Sequence, residues 1–352
     1  MATVLVLFGG TSSEHEVSLR SAEAVINMTD KEKHRLIRVG ITKDGRWLMT
    51  EATPAEIASG AWERHPANCR AVLSPDRGDH GVLVRKEGEW KCLRVDCVWP
   101  VLHGKYGEDG TVQGLCELAG IPYVGPDVCA SAVAMDKSQT KILVETTGVR
   151  QADYYLLRQA AYERDAEGEM EAICRHFGGK FPLFVKPCSA GSSVGVTKVA
   201  GREGLQEALD LALIHDKKVL VETAIVGREV EVAVLGNGDP KASVVGEVLS
   251  ANEFYDYSAK YINAASRTVI PAEMTAEEQR RLREAAVTVY SVVGCKGMSR
   301  VDFFLPADGI PVFNEINTLP GFTSISMYPK LWEATGVDNR ELTDTLIALA
   351  ME

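Results

Sequence analysis

The segment that most constrains the fold of this chain is residues 300–317, which read RVDFFLPADGIPVFNEIN. Two runs of alternating apolar residues flank a central Asp-Gly pair, and this pattern is typical of a β-hairpin. Side chains two residues apart on a strand share a face, so Arg300 lies beside Asp302 on one strand. Pairing across the hairpin then brings Asp302 close to Glu315 and Asn317.

These side chains point to a metal–phosphate site. Carboxylate and amide oxygens beside a guanidinium suit Mg²⁺, which prefers oxygen ligands and binds alongside substrate phosphates. The solvated face of an edge hairpin would show the same alternation of polar and apolar residues. We favour the metal site because the hydroxyl-rich segment TLPGFTSIS, residues 318–326, follows directly and offers groups that can hold a small polar substrate.

Length and charge limit the class of protein. A chain of 352 residues is too long for one ordinary core and predicts two or three domains. Its 45% hydrophobic and 25% charged residues are typical of a globular protein. The net charge of −11 argues against nucleic acid or an anionic membrane as a partner. Local positive groups must therefore hold any anionic ligand.

The cysteines and the N-terminus indicate the compartment. None of the eight cysteines forms a C-x-x-C pair, which argues against a zinc site or a disulfide framework and fits a reducing environment. The N-terminal MATVLVLFGG lacks a basic region and is typical of a β-strand rather than a signal peptide. No apolar run approaches the ~18–20 residues that span a bilayer. We expect a cytoplasmic protein.

The first strand and helix resemble a nucleotide-binding unit. Residues 3–8 form a continuous apolar run of the kind buried in a parallel sheet, and a Gly-rich turn follows. Ser13 and Glu16 have the spacing of a capping box that opens a helix. The G-x-G-x-x-G spacing of a dinucleotide site is absent. Glu14 and His15 lie in the turn, where they either cap the helix or contact a substrate amine.

Three further segments have clear sequence patterns. Residues 51–91 are polar and irregular, so we assign them a peripheral role. The Gly-rich loop LHGKYGEDGT, residues 102–111, contains His103 and predicts a backbone-lined pocket. Residues 131–145 predict one helix, with Lys137 inside it.

A second Gly-rich loop predicts a phosphate site. Residues 181–186 form an apolar strand that ends at Lys186, and PCSAGSSVGV, residues 187–196, follows. Small residues leave backbone N–H groups accessible and the lysine adds a point charge, which together suit a phosphate. No Walker A sequence occurs in the chain.

The C-terminal third contains a candidate lid and a clear helix start. Residues 250–263, SANEFYDYSAKYIN, combine aromatic residues with a lysine and have neither helical nor strand periodicity. They are either core packing under a loop or a lid over the site. Thr275 and Glu278 form another capping box, which opens a helix that runs to Gly294.

Six segments together resemble the D-alanine–D-alanine ligases: FGGTSSEHEVSLRSA, HGKYGEDGTVQG, FVKPCSAGSSVGV, EFYDYSAKY, SRVDFF and NEINTLPGFTSISMYP. They occur in the family's order from residue 3 to about residue 330. The resemblance implies an α/β protein with the ATP-grasp fold and an N-terminal parallel-sheet, Rossmann-like domain. The implied units are an N-terminal substrate-binding domain, a central ATP-grasp lobe, and a C-terminal lobe with the lid loop and the Mg²⁺ site, at residues 1–124, 125–221 and 222–352.

The resemblance also implies roles for individual residues. Positions implied to act in catalysis are Glu14, Ser192, Tyr261 and Arg300. Positions implied to bind D-alanine are His103, Gly321, Ser326 and Met327. Positions implied to hold ATP are Lys137, Lys186, Glu222, Glu229 and Lys260. Positions implied to bind magnesium are Asp302, Glu315 and Asn317.

The implied activity is ATP-dependent joining of two D-alanines through a D-alanyl phosphate, for peptidoglycan precursor synthesis. The resemblance further implies two Mg²⁺ ions, for which Mn²⁺ can substitute, and a homodimer. Ile325 stands where some relatives have a histidine, which bears on affinity for the second substrate. The alternatives are D-serine or D-lactate as the second substrate, another carboxylate–amine ligation, or a nucleotide-binding module without catalysis.

Overall fold

The computed structural model describes residues 1–191, 194–249 and 267–352, and these form helices packed on three β-sheets. The first sheet has seven strands in the order β6-β5-β4-β3-β2-β1-β7. Strand β1 lies next to the edge strand β7 and pairs in parallel with both β2 and β7. The strands are β1 Ala2–Gly9, β2 His34–Ile41, β3 Trp47–Met49, β4 Cys69–Leu73, β5 Gly81–Lys86, β6 Glu89–Arg94 and β7 Cys97–Val101.

Strand β1 forms because its apolar run can be buried on both faces. Val4 to Phe8 are each 0% exposed, as the continuous pattern predicts for a parallel sheet. Helix α1, His15–Met28, follows, but the predicted capping box is wrong. Glu14, not Ser13, is the N-cap residue, and its side chain makes no cap hydrogen bond. Ser12 Oγ accepts the Glu14 N–H at 3.2 Å.

Residues 51–91, predicted to be irregular and peripheral, form regular structure at one edge of the first sheet. This segment supplies three strands of the first sheet and the short helix α2, Pro54–Ala58. Trp62 is fully buried and its ring lies 5.0 Å from that of Phe8, edge to face. Gly40 lets this packing occur, because a Cβ there would lie 2.3 Å from the Trp62 ring. The strands are short and partly exposed, so their apolar periodicity is weak.

The second sheet has the order β10-β9-β11-β8, with all pairs antiparallel. The third has the order β14-β13-β12-β15-β16 and is also antiparallel. Their strands are β8 Tyr154–Arg158, β9 Leu183–Pro187, β10 Thr197–Val199, β11 Lys218–Thr223, β12 Arg228–Leu235, β13 Lys241–Leu249, β14 Arg267–Val269, β15 Met298–Leu305 and β16 Val312–Asn317.

The predicted hairpin is confirmed in type and register. Strands β15 and β16 pair so that Arg300 lies opposite Asn317 and Asp302 opposite Glu315. Gly309 in the connecting turn has φ +68°, a conformation that favours glycine. The register therefore places the polar side chains of both strands together.

The remaining helices are α3 Thr111–Ala119, α4 Val128–Met135, α5 Lys137–Glu145, α6 Gln159–Arg164, α7 Ala166–His176, α8 Leu205–His215, α9 Ala276–Val293, α10 Met327–Thr335 and α11 Asn339–Ala350. The capping box of Thr275 and Glu278 is confirmed at the start of α9. None of the helices in the described part of the chain is long and apolar enough to cross a membrane.

The single helix predicted at residues 131–145 is wrong, because Asp136 divides it into α4 and α5. Asp136 has an extended backbone, and its carboxylate accepts the N–H groups of Ser138 and Gln139 at 3.1 and 3.3 Å. This side-chain cap satisfies the first donors of α5. As a result, Lys137 occupies the first turn of α5 instead of a helix interior.

Candidate active site

Two adjoining cavities are lined by all the predicted site residues that the structure describes. The smaller has a volume of about 120 Å³ and the larger about 510 Å³. Lys137, Glu231 and Glu315 line both, so the cavities meet beside the β15–β16 hairpin. Charged groups of both signs are therefore concentrated where the two spaces join.

Arg300 lines the smaller cavity and is held by two carboxylates. Its Nε and Nη2 donate to the two oxygens of Asp302, each at 2.7 Å, and Nε lies 2.9 Å from Glu231 Oε2. Burial alone would lower the pKa of Arg300, but Asp302 and Glu231 raise it well above its ordinary value. The guanidinium stays charged and fixed in orientation. The sequence did not identify Glu231 as a site residue, because its partner Arg300 lies on another strand.

The predicted magnesium ligands are brought together by the hairpin register. Asp302 faces Glu315, and Asn317 Nδ2 donates to Asp302 Oδ2 at 3.0 Å. Among the described residues, no group of three or more histidine, cysteine, aspartate or glutamate side chains is arranged to hold a metal. Two carboxylates and one amide oxygen still fit Mg²⁺, which keeps several waters and is completed by substrate phosphates.

Lys137 connects the hairpin with the second Gly-rich loop. Its Nζ donates to the Ala190 carbonyl at 2.9 Å and lies 3.5 Å from Glu315 Oε2. The lysine is therefore within reach of an anion bound at the hairpin. Its position follows from the start of α5, because Lys137 is the first residue of this helix after the Asp136 cap.

The larger cavity is lined by the charged side chains of Lys186, Glu222 and Glu229. Lys186 Nζ pairs with Glu222 Oε2 and donates to Asn314 Oδ1 at 3.5 Å. Apolar side chains, including Phe184 and Phe304, line the rest. A cavity with a cation at one side and apolar walls suits a ligand with a charged and a planar part.

Glu222 is ionised although it is only 4% exposed. Burial alone would raise its pKa, but Lys186 and Lys141 outweigh burial and lower it to about 2. Lys141 Nζ lies 2.6 Å from Glu222 Oε1 and was not predicted as a site residue. No local signal marks Lys141, because its partner is far along the chain.

His103 is buried in the wall of the smaller cavity. Its Nε2 lies 2.9 Å from Ser21 Oγ, and Ser12 Oγ donates to its carbonyl at 2.7 Å. Burial lowers the pKa of His103, although the Glu14 carboxylate acts to raise it. The ring is therefore held neutral near neutral pH, where it can exchange hydrogen bonds with a small ligand.

Glu14 enters the same cavity between two glycines. A Cβ at Gly104 would lie 2.5 Å from Glu14 Oε2, and one at Gly191 would lie 3.2 Å from it. Glycine at both positions leaves room for the carboxylate. Glu108, also unpredicted, accepts the Gly104 N–H at 2.7 Å. Desolvation and the nearby Glu14 raise the pKa of Glu108 to about 8.

The loop after the hairpin forms part of the lining of the smaller cavity. Gly321, Ser326 and Met327 all line it. Ser326 Oγ accepts the Thr323 N–H at 3.0 Å, and a Cβ at Gly321 would lie 2.7 Å from this oxygen. Met327 is the first residue of α10 and is only 5% exposed, so most of its side chain packs in the core.

Three predicted site residues lie outside the described residues: Ser192, Lys260 and Tyr261. The predicted lid, residues 250–263, also lies outside them. Their predicted roles stay predictions.

Comparison with protein families finds two matches that cover most of the chain. Residues 3–126 match the family described as the D-ala D-ala ligase N-terminus, and residues 143–348 match the D-ala D-ala ligase C-terminus. The two matched segments follow each other in the order that the sequence motifs predicted.

Individual relatives align over nearly the full chain. A D-alanine–D-alanine ligase from Acetivibrio thermocellus is 48% identical and one from Clostridium acetobutylicum is 46% identical; the alignments cover 99% of this chain and 96% and 97% of theirs. Among solved structures, the VanG D-Ala:D-Ser ligase from Enterococcus faecalis has a TM-score of 0.90 at 41% identity, with 99% of each chain covered. The D-alanine–D-alanine ligase from Coxiella burnetii has a TM-score of 0.85 at 34% identity, covering 100% of this chain and 95% of that one.

Proposed function

The chain belongs to the D-alanine–D-alanine ligase family, with its ATP-grasp fold, and on this basis we propose that it uses ATP to join two D-alanines into D-alanyl-D-alanine for cell-wall synthesis. The observation that carries the proposal is the meeting of the two cavities at Lys137 and Glu315, beside Arg300. A carboxylate in the smaller cavity can there meet a phosphate from the larger one. Such a meeting is what ATP-dependent activation of an amino acid requires.

ATP occupies the larger cavity in this proposal. Lys137 and Lys186 contact the phosphates, and their positive charge offsets that of the nucleotide in a protein whose net charge is −11. Glu222 accepts a hydrogen bond from the adenine amino group, and Glu229 contacts the ribose. The apolar walls of the cavity cover the base.

Asp302, Glu315 and Asn317 would hold two Mg²⁺ ions, which Mn²⁺ can replace. The metal ions supply neutralisation of the phosphate charge. Arg300 holds the Asp302 carboxylate in one orientation through its two 2.7 Å hydrogen bonds. The protein itself thus fixes the direction of this carboxylate.

The first D-alanine binds in the smaller cavity, where Glu14 pairs with its ammonium and His103 lies near its carboxylate. A carboxylate oxygen attacks the γ-phosphorus, the bond to ADP breaks, and D-alanyl phosphate forms. A carboxylate is a poor electrophile, so this activation is necessary. Catalysis of this step depends on positioning the carboxylate against the phosphate and on neutralising the phosphate charge. Water must be excluded, because it would hydrolyse the intermediate.

The second D-alanine enters beside Gly321, Ser326 and the start of α10. Its deprotonated amine attacks the acyl carbon, the C–N bond forms, and phosphate leaves. Arg300 stabilises the oxyanion that develops at the acyl carbon, and loss of one such donor typically costs about 10²–10³-fold in rate.

D-Serine is the second candidate for the second substrate, because one of the solved structures similar to this chain is described as a D-Ala:D-Ser ligase. D-Serine differs from D-alanine by one hydroxyl, and a pocket discriminates weakly against such an addition. D-Lactate is a less favoured candidate, since the chain has Tyr255, Tyr257 and Tyr261 in a segment that D-lactate ligases replace.

The test is mass spectrometry of the product formed from ATP, Mg²⁺ and D-alanine, alone and with D-serine or D-lactate. We expect D-alanyl-D-alanine as the main product and phosphate release that depends on D-alanine. A main product that contains serine would instead support the D-serine reaction. If no D-amino acid stimulates ATP hydrolysis, the chain is a nucleotide-binding module without this activity.

We further propose that the protein acts in the cytoplasm as a homodimer and contributes to cell shape through peptidoglycan. The family relationship supports these points, and light scattering after size-exclusion chromatography measures the oligomer directly. A monomer at micromolar concentration would contradict the dimer.

A further inference from the structure

Lys141 is a buried lysine whose function the proposed reaction does not use. It lies on α5 four residues after Lys137, so both side chains project from one face of the helix. Its side chain is 2% exposed and belongs to the lining of neither cavity described above. A lysine is rarely buried to this degree unless a partner holds it.

The partner of Lys141 is the carboxylate that faces the larger cavity. Lys141 Nζ lies 2.6 Å from Glu222 Oε1 and 3.4 Å from the Ala152 carbonyl, and 5.2 Å above the Tyr154 ring. Lys186 pairs with the other Glu222 oxygen. The two cations therefore hold Glu222 from two sides, and a carboxylate with about four acceptor sites can still accept a hydrogen bond from a ligand.

We propose that Lys141 is a positioning residue that fixes the Glu222 carboxylate and thereby makes the larger cavity select adenine over guanine. Adenine presents an exocyclic amino group, which donates to a carboxylate oxygen. Guanine presents a carbonyl oxygen at the same place, and two acceptors repel each other. Selection requires that the carboxylate stays ionised and cannot turn its oxygens away.

Loss of the Lys141 charge would release the Glu222 carboxylate on one side. Lys186 would then be its one remaining cation among the described contacts, and the carboxylate could turn towards it. The hydrogen bond to adenine would weaken, and the repulsion of guanine would weaken with it. A charged hydrogen bond of this kind corresponds to about a tenfold change in relative affinity.

The experiment measures ATP and GTP binding by titration calorimetry, with Mg²⁺ and without any D-amino acid. We expect the wild type to prefer ATP, and Lys141→Met to reduce the ratio of the two affinities about tenfold. Lys141→Arg keeps a cation and retains most of the preference. A wild type without a preference, or a folded Lys141→Met with an unchanged ratio, would overturn the proposal.

A double-mutant cycle shows whether Lys141 acts through Glu222. In a Glu222→Gln background, Lys141→Met should change the ratio no further. The double variant also removes both charges of the pair, so it remains informative if Lys141→Met alone fails to fold. An additive second loss of preference would contradict the proposal.

Lys218→Met is the matched control, because it removes another partly buried lysine from an ion pair, with Asp136, outside both cavity linings. It should lower the melting temperature without changing the ratio of affinities, which separates a structural role from a positioning role. A changed ratio in this control would show that any lost ion pair has the same effect, and would overturn the assignment to Lys141.

The inference rests on the proposed function only in placing ATP in the larger cavity. If the protein binds ATP selectively but makes no dipeptide, the proposed ligation fails and this inference stands. If the dipeptide forms while Lys141→Met leaves base selection unchanged, the inference fails alone.

Discussion

Arg300→Lys should separate the chemical step from ATP binding. Arginine makes three short contacts, two to Asp302 at 2.7 Å and one to Glu231 at 2.9 Å. Lysine keeps the charge but cannot reproduce the planar fork, so it cannot hold both carboxylates and point at the acyl carbon. We expect kcat to fall about 10²–10³-fold, the typical cost of one lost oxyanion donor.

The assay is steady-state phosphate release at saturating D-alanine and Mg²⁺, together with ATP affinity from calorimetry. Because the ATP cavity has its own lysines, ATP affinity should change by less than about threefold, less than the loss of one hydrogen bond. Arg280→Lys is the control, since Arg280 pairs with Glu277 and Glu284 on the exposed face of α9, and the substitution should leave both quantities unchanged. A folded Arg300→Lys variant with nearly wild-type kcat would refute the assigned role.

Three further variants test other parts of the account. Gly321→Ala places a Cβ 2.7 Å from Ser326 Oγ, so KM for the second D-alanine should rise about tenfold while KM for ATP stays the same; equal increases in both would contradict this. Glu108 loses its proton at about pH 8 in the folded state but near pH 4.5 in the unfolded chain. Its contribution to the free energy of unfolding therefore falls as pH rises from 4.5 to about 8. Glu108→Gln should therefore gain in melting temperature over the wild type from pH 5 to 8, and parallel profiles would disprove the shift. Thr275→Ala removes the cap of α9 and should cost about 1 kcal/mol of unfolding free energy in urea with no effect on kcat.

The hairpin shows what the sequence alone can establish. Side chains on a strand alternate with a strict period of two. Recognising the turn was therefore enough to predict that Asp302 and Glu315 lie on the same face of the hairpin. Lys137 and Lys186 were predicted as ATP-binding residues because the motifs around them resemble those of a known family. These features depend on residues close together in sequence or on patterns that can be matched directly.

Other features depend on packing between distant segments and were missed. Lys141 was missed because its partner Glu222 lies 81 residues away along the chain, and Lys141 alone is typical of a solvated charge. The break at Asp136 had a local signal, since an Asp with Gln139 three residues later favours a helix start. The capping box predicted at Ser13 was wrong although its local signal was present. Ser12, rather than Ser13, makes the hydrogen bond to the turn.

The most direct test of the central claim uses D-alanine labelled with ¹⁸O in its carboxylate. If the hairpin and the lysines bring ATP to that carboxylate, attack on the γ-phosphorus transfers one carboxylate oxygen to phosphate. Mass spectrometry of the released phosphate should then find one ¹⁸O for each dipeptide made. Phosphate that contains no ¹⁸O while the dipeptide accumulates would contradict the D-alanyl phosphate route and the role assigned to the junction of the two cavities.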